Sequence, residues 1–247
     1  MSTQTAKMTP SRFISLQATR RSYKPLRRDN AQGYIRSIYR EGRTTMLSSS
    51  FNFIFIHVPK TGGNSIQKAL LPYSDDRIAL IGPHHDGINR FEIRSPEFQI
   101  HKHATLEDYR RQLDQERYAR LIKVTCVRNP WDRCVSYYFS PHRGTVVWSE
   151  QDFAHFISNT VHPHAHYLTL DGLKSDPFDN VDVILKYETL EMDFKALCGR
   201  LGLGDVALPR LNASVRDTYR SYFVRDDVIE LVAEKFAPEI DRFDYSF

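Results

Sequence analysis

The sequence predicts an α/β fold in which a central, mainly parallel sheet is flanked by helices. Three observations predict it. Apolar runs of strand length recur at Phe53–Val58, Leu121–Val127 and Val181–Glu188, rich in the β-branched and aromatic residues of buried strands. Each run passes through a short turn into a helical pattern, the alternation that builds parallel sheets with covered faces. The chain has 247 residues, enough for one such domain with a large core.

Residues 1–50 are polar and basic and are expected to form an arm ahead of a domain spanning 51–247. Lys7, Arg12, Arg20, Arg21, Lys24, Arg27 and Arg28 fall within residues 1–28, which contain no acidic residue. A surface-lying arm is the simplest reading. An organelle transit peptide, or a contact with an acidic partner or with the active site, is the alternative. Ala31–Tyr39 carries a short helical pattern, and Ser48-Ser49-Ser50 reads as a linker.

Phe53–Leu71 reads FIFIHVPKTGGNSIQKALL. A strand runs into Pro59-Lys60-Thr61-Gly62-Gly63-Asn64-Ser65 and then into a helix. A glycine turn between a strand end and a helix start forms an anion cradle. Gly62 and Gly63 allow positive φ and close approach of the backbone. Asn64 or Ser65 is expected to cap the helix, and Lys60 adds a mobile positive charge. A nucleotide kinase or NTPase loop would place its lysine after the glycines; here Lys60 precedes them.

Asp75–Gln99 holds Gly82-Pro83, Asp86-Gly87 and Ser95-Pro96, which predict irregular structure. His101 and His103 follow and would share one side of an extended chain. Thr105 is expected to cap a helix reaching Leu113, with Asp108 in the place of a capping box. The strand Leu121–Val127 leads into Arg128-Asn129-Pro130, where Pro130 suits a first helical turn and Asn129 its cap. Ser136 lies two turns on and returns to the face of Arg128. A hydroxyl and a guanidinium fork placed so can hold one phosphate. Helices are predicted over Glu150–Asn159, Thr189–Leu201 and Asp226–Phe236, a turn at Leu211–Ser214 and a packed tail over Pro238–Phe247. Glu188, ending the third strand, is expected to be structural. Val215–Tyr222, rich in Arg and Tyr, is placed to close over a ligand.

Two of these elements resemble known sequences. Pro59–Ser65 resembles the 5′-phosphosulfate loop of sulfotransferases that use 3′-phosphoadenosine 5′-phosphosulfate (PAPS). Its Pro-Lys-Thr-Gly-Gly-x-Ser form is that of the group including heparan sulfate 2-O-sulfotransferase. Val127–Tyr138, VRNPWDRCVSYY, resembles the same family's 3′-phosphate element, and diffuse likeness extends over residues 51–247. The resemblance implies a P-loop-like three-layer sandwich and transfer of a sulfuryl group from PAPS to a hydroxyl, with a carbohydrate as the expected acceptor.

It also implies roles for residues. Lys60 would neutralise the bridging oxygen as 3′-phosphoadenosine 5′-phosphate (PAP) leaves. Lys60, Thr61, Gly62, Gly63, Asn64 and Ser65 would hold the 5′-phosphosulfate, and Arg128 and Ser136 the 3′-phosphate. Some relatives carry a His-x-His pair near His101-Lys102-His103; His103 is the expected base, with His101 assisting. Arg133 matches the family in type, a salt bridge inside the fold being the alternative. His164 stands where relatives often have a Gln that shapes the substrate pocket. The scheme needs no metal. A zinc site drawn from His101, His103, His162, His164 and His166 would lack cysteine or carboxylate partners at recognisable spacing. A nucleotide kinase or NTPase, and a protein that binds PAPS without turnover, are the competing classes.

The net charge of +4 suits an anionic cofactor without requiring nucleic acid. The basic residues form no stripe with interleaved aromatics, so no nucleic-acid partner is expected. Cys126, Cys134 and Cys198 show no metal spacing and fit a reducing compartment. No apolar run reaches the length of a membrane span, and a soluble, cytoplasmic enzyme of bacterial type is the expectation. Neither the acceptor's identity nor the oligomeric state is written in any pattern.

Overall fold

The computed structural model describes residues 46–83, 89–94, 100–140, 143, 146–210 and 216–247, with backbone alone at 77–83 and 89–94. The basic arm before residue 46, the Ala31–Tyr39 pattern and the Leu211–Ser214 turn lie outside the described residues. Among the described residues there are six strands: β1 (Leu47–Ser48), β2 (Phe53–Ile56), β3 (Arg77–Pro83), β4 (Asn89–Arg94), β5 (Ile122–Val127) and β6 (Val183–Lys186). The helices are α1 (Gly63–Leu70), α2 (Leu106–Gln112), α3 (Gln115–Arg120), α4 (Pro130–Tyr138), α5 (Glu150–Thr160), α6 (His164–Leu168), α7 (Leu190–Leu201), α8 (Asp226–Lys235) and α9 (Ala237–Phe243).

The central sheet has the order β1-β2-β5-β6. β2, β5 and β6 run parallel, and β1 is an antiparallel edge. Alternation along β2 sends Phe53 and Phe55 to one face and Ile54 and Ile56 to the other. The first pair packs with Ile66 and Leu70 of α1 and with Phe194 and Leu197 of α7. The second packs with Leu106 and Tyr109 of α2 and Leu168 of α6. Both faces are thus covered by helices, the three-layer α/β arrangement expected. A third cluster, around Tyr138, Phe153 and Phe236, joins α4, α5 and α8. Each such aromatic stabilises by about 1.5–3 kcal/mol when taken from water.

Two local expectations are corrected, and two helices appear where the sequence reading assigned no element. Ser48 is not a linker residue: it belongs to β1 and is fully buried. Its hydroxyl donates to the Tyr73 carbonyl at 2.5 Å and accepts from the Phe51 N–H at 3.2 Å. The Asp75–Gln99 segment contains the antiparallel hairpin β3–β4, with a register shift between Leu80 and Gly82. Gly82 and Pro83 sit at a bulge and a strand end, where both residue types are tolerated. The chain after Leu113 forms α3, capped by the Asp114 carboxylate. The tail after Phe236 begins with a helix, α9. By contrast, Thr105 and Asp108 make the reciprocal capping box at the start of α2.

Candidate active site

The loop after β2 is built by backbone conformation more than by side-chain caps. Lys60 has φ of 71° and Gly62 of 85°. A left-handed residue with a side chain costs about 1–2 kcal/mol, so Lys60 must be held by its surroundings. Gly62 is the N-cap of α1 and has no side-chain cap bond. Asn64 and Ser65 therefore do not cap; they lie in the first turn. Gly63 has no left-handed φ, but a Cβ there would lie 2.0 Å from His57 Cδ2. Its missing side chain makes room for that ring. The N–H groups of Gly63 and Asn64 have no intrahelical acceptor at the positive end of the helix dipole. The Thr61 hydroxyl donates to the Val58 carbonyl at 2.9 Å, and its side chain is fully buried.

Parallel pairing of β2 with β5 puts the next element alongside. Arg128 Nη1 donates to the Lys60 carbonyl at 2.9 Å and to Ser136 Oγ at 3.3 Å. The i and i+8 positions thus meet as the helical spacing requires. Arg128 also forks onto Asp132 Oδ2, with Nε at 2.8 Å and Nη2 at 2.6 Å. Its guanidinium carbon stands 3.8 Å from the centroid of the Tyr187 ring. The other Asp132 oxygen pairs with Arg216, from the Arg- and Tyr-rich segment. On the far side of the loop, Lys102 Nζ donates to Asn64 Oδ1 at 2.7 Å. Burial, followed by the charges of Arg128, Arg216 and Lys102, pulls the Lys60 ammonium down to about 8. Four cations therefore converge on one loop, with Asp132 as a carboxylate between two of them. Asp132, Tyr187 and Lys102 were not anticipated, because none shares a local pattern with the loop; Arg216 was signalled only by the composition of its segment.

The two candidate histidines are not equivalent. Residues 101–104 form a turn, the Ala104 N–H reaching the His101 carbonyl at 2.9 Å, so the extended same-side arrangement does not form. His101 is exposed. His103 packs against His57, ring centroids 4.6 Å apart, and its Nδ1 lies 2.8 Å from the His57 carbonyl. A carbonyl only accepts, so Nδ1 carries the proton and Nε2 the lone pair. Burial is the main force lowering His103 to about 4; the nearby charges of Lys102, Arg133 and Lys60 act the same way, against the bond to His57. His103 is therefore neutral near pH 7.

Arg133 belongs to the fold's interior, resolving the alternative left by its motif. It is fully buried and donates through Nε to the Pro59 carbonyl at 3.1 Å and through Nη2 to the His162 carbonyl at 2.8 Å. His164 is buried beside it, with Nδ1 2.7 Å from Glu239 Oε2; it lines no exposed pocket as the Gln position suggested. His162 and His166 stack on each other with centroids 4.4 Å apart. Among the described residues no His, Cys, Asp or Glu group is arranged to hold a metal. Glu188 accepts from the Asn129 N–H at 2.7 Å and from the Tyr245 hydroxyl at 3.1 Å, tying the C-terminal segment to the turn after Arg128, as a structural residue would.

Among the described residues no helix is long and apolar enough to cross a membrane. Comparison with curated proteins finds no match. A family model described as "Sulfotransferase family" matches residues 43–246.

Proposed function

The chain belongs to the sulfotransferase family, and from that premise we propose that it moves the sulfuryl group of PAPS to an acceptor hydroxyl, releasing PAP. What carries the reading is the 2.9 Å bond between the Arg128 guanidinium and the Lys60 carbonyl. It sets the motif read as the 5′-phosphosulfate loop directly beside the motif read as the 3′-phosphate grip. One doubly phosphorylated adenosine would span both.

In this reading the acceptor oxygen attacks sulfur in line while the bond from sulfur to the bridging phosphate oxygen breaks. Charge builds on that bridging oxygen, and catalysis is positioning plus electrostatic stabilisation. The Lys60 ammonium neutralises it. The N–H groups at the start of α1 hold the non-bridging oxygens, with Asn64 and Ser65 in the same turn. Arg128 and Ser136 hold the 3′-phosphate, and Arg216 is close enough to share it. His103 takes the acceptor proton on Nε2, its ring held by the His57 carbonyl, much as a general base is oriented by a partner on its other nitrogen. His101, exposed on the same turn, contacts the acceptor rather than His103. A base lowered to about 4 is weak by itself; an anionic donor beside it would raise it. These cations supply the charge for transfer, so the scheme calls for no metal. A carbohydrate acceptor and a cytoplasmic location complete the proposal, the first resting on the Pro-Lys-Thr-Gly-Gly-x-Ser form of the loop.

Calorimetric titration with PAP and with ATP–Mg²⁺ tests the class. PAP should bind more tightly; the reverse order would favour a kinase or NTPase. Lys60→Ala should abolish transfer of ³⁵S from labelled PAPS to a saccharide panel while leaving PAP binding within about tenfold, since Lys60 acts mainly on charge that develops in the transition state. PAP binding with no transfer by the wild type to any acceptor, water included, would leave a binding protein.

A further inference from the structure

We propose that Arg133, buried beside the Glu239 carboxylate, is a positioning residue that fixes where the Lys60 side chain stands relative to the leaving oxygen; the inference rests on the sulfuryl-transfer reading above. Two consecutive carbonyls at the mouth of the loop are each held by a guanidinium. Arg133 Nε holds Pro59 at 3.1 Å and Arg128 Nη1 holds Lys60 at 2.9 Å. Between these two anchors the chain turns into the left-handed conformation of Lys60, at φ 71°. Arg128 faces the site and is free to trade partners when a phosphate arrives. Arg133 is not, because its side chain is fully enclosed and its Nη2 is engaged as well as its Nε. Nη2 reaches the His162 carbonyl at 2.8 Å, and Nη1 stands 3.7 Å from Glu239 Oε1.

Glu239 is itself held from the far side. Its Oε2 accepts from the His164 backbone N–H and from His164 Nδ1, both at 2.7 Å. That carboxylate fixes the His164 tautomer, so Nδ1 carries the proton and the 3.4 Å approach of Arg133 Nη1 to it is a contact between donors. The result is a buried chain of groups from α9 through α6 and α4 to the loop. A buried ion pair is weak grounds for stability, since apolar groups of the same volume serve as well. What an apolar group lacks is a donor of fixed direction at the Pro59 carbonyl, which the planar fork of Arg supplies and a lysine does not.

Lys60 is the reporter. The charges that face it are Arg128 at the end of β5, Arg216 from the segment before residue 219 and Lys102 from the turn before α2. Their hold on its ammonium depends on where the loop puts it. Arg133→Lys and Glu239→Gln are compared with the wild type by trace acetylation with acetic anhydride across pH, reading the Lys60 peptide by mass spectrometry. Wild-type Lys60 should titrate near 8 and move toward its ordinary value of 10.5 by at least one pH unit in Arg133→Lys, less in Glu239→Gln. Turnover of ³⁵S-labelled PAPS should fall at least tenfold, with the Kd for PAP changed less than threefold. Folded variants whose Lys60 titrates as in the wild type overturn the inference. So does failure of both variants to fold, which would confine the cluster to stability. A wild type that binds no PAP sinks the sulfotransferase reading instead, while the acetylation result still decides whether Arg133 places Lys60.

Discussion

Replacing Gly63 by alanine asks what the second glycine of the loop is for. A Cβ on Gly63 would lie 2.0 Å from His57 Cδ2 and 2.1 Å from Nε2, far inside the roughly 3.5–4 Å of a normal contact. The ring has nowhere to go. His57 is 4% exposed, and it sits 4.6 Å from the His103 ring and 6.0 Å from Phe55, centroid to centroid. Either α1 or the ring must shift, and overpacking of this kind costs about 1–3 kcal/mol. At about 2–4 °C per kcal/mol for a domain of this size, Tm should fall by roughly 2–12 °C. The same shift disturbs the His57 carbonyl that orients His103, so turnover should fall while PAP affinity is nearly kept. Gly199→Ala is the control. It lies exposed in α7, where a new Cβ meets nothing within 4 Å, and alanine there should stabilise by about 0.5–1 kcal/mol. Thermal denaturation followed by circular dichroism, with PAP calorimetry, reads both variants. A Gly63→Ala protein with wild-type Tm and lost PAP affinity would refute the packing argument, because the glycine would then be making room for ligand.

Three further outcomes follow from the same geometry. Arg128→Ala removes the donors to the Lys60 carbonyl and Ser136 and should weaken PAP at least tenfold, about 1.4 kcal/mol. Adenosine 5′-phosphosulfate, which lacks the 3′-phosphate, should lose less; an equal loss would remove Arg128 from that role. Acid should destabilise the fold through its buried histidines. His57 and His164 are both lowered, burial being the first cause in each. The unfolded chain therefore binds more protons than the native one below 6.5, and stability present above that pH is lost as pH falls toward the folded values. A Tm that is flat between pH 7 and 4 contradicts this. Finally, PAP binding near pH 8 should take up protons, since a large share of Lys60 is uncharged there and an arriving anion favours the ammonium. Calorimetry in buffers of different ionisation enthalpy reads the uptake; proton release would refute the placement of Lys60 at the phosphates.

The parts of this architecture that local pattern encodes were the parts the sequence disclosed. Phe53–Ile56 and Ile122–Val127 announce themselves as apolar runs ahead of turns, Asn129-Pro130 as a helix start, and Arg128 and Ser136 as one helical face. Other features depend on residues distant in the chain. β1 is a two-residue edge whose Ser48 looks like linker until Tyr73 accepts its hydroxyl proton. Asn64 and Ser65 have the right chemistry for capping, yet the left-handed Gly62 starts the helix one step earlier. The His101–His103 pair reads as a period of two, but the turn to Ala104 breaks that period and separates them. Tyr187 on Arg128, Arg216 on Asp132 and Lys102 on Asn64 are meetings made by the fold. Only the Arg- and Tyr-rich composition around Arg216 hinted at one of them.

The cationic loop also poses a problem that Asp132 answers. Lys60, Lys102, Arg128 and Arg216 repel one another in a partly buried site, and burial first, then these charges, lower the proton affinity of Lys60. Asp132 takes two guanidiniums at once, one on each oxygen, and so holds both arginines in the plane and spacing that a phosphate would want. The carboxylate sits in the first turn of α4, where the helix dipole favours negative charge. Because β2 and β5 are adjacent and parallel, their ends bring Lys60 and Arg128 together without any loop having to cross the sheet. Asp132 follows Arg128 by a single helical turn. The preorganisation of the site therefore comes from strand order and one carboxylate.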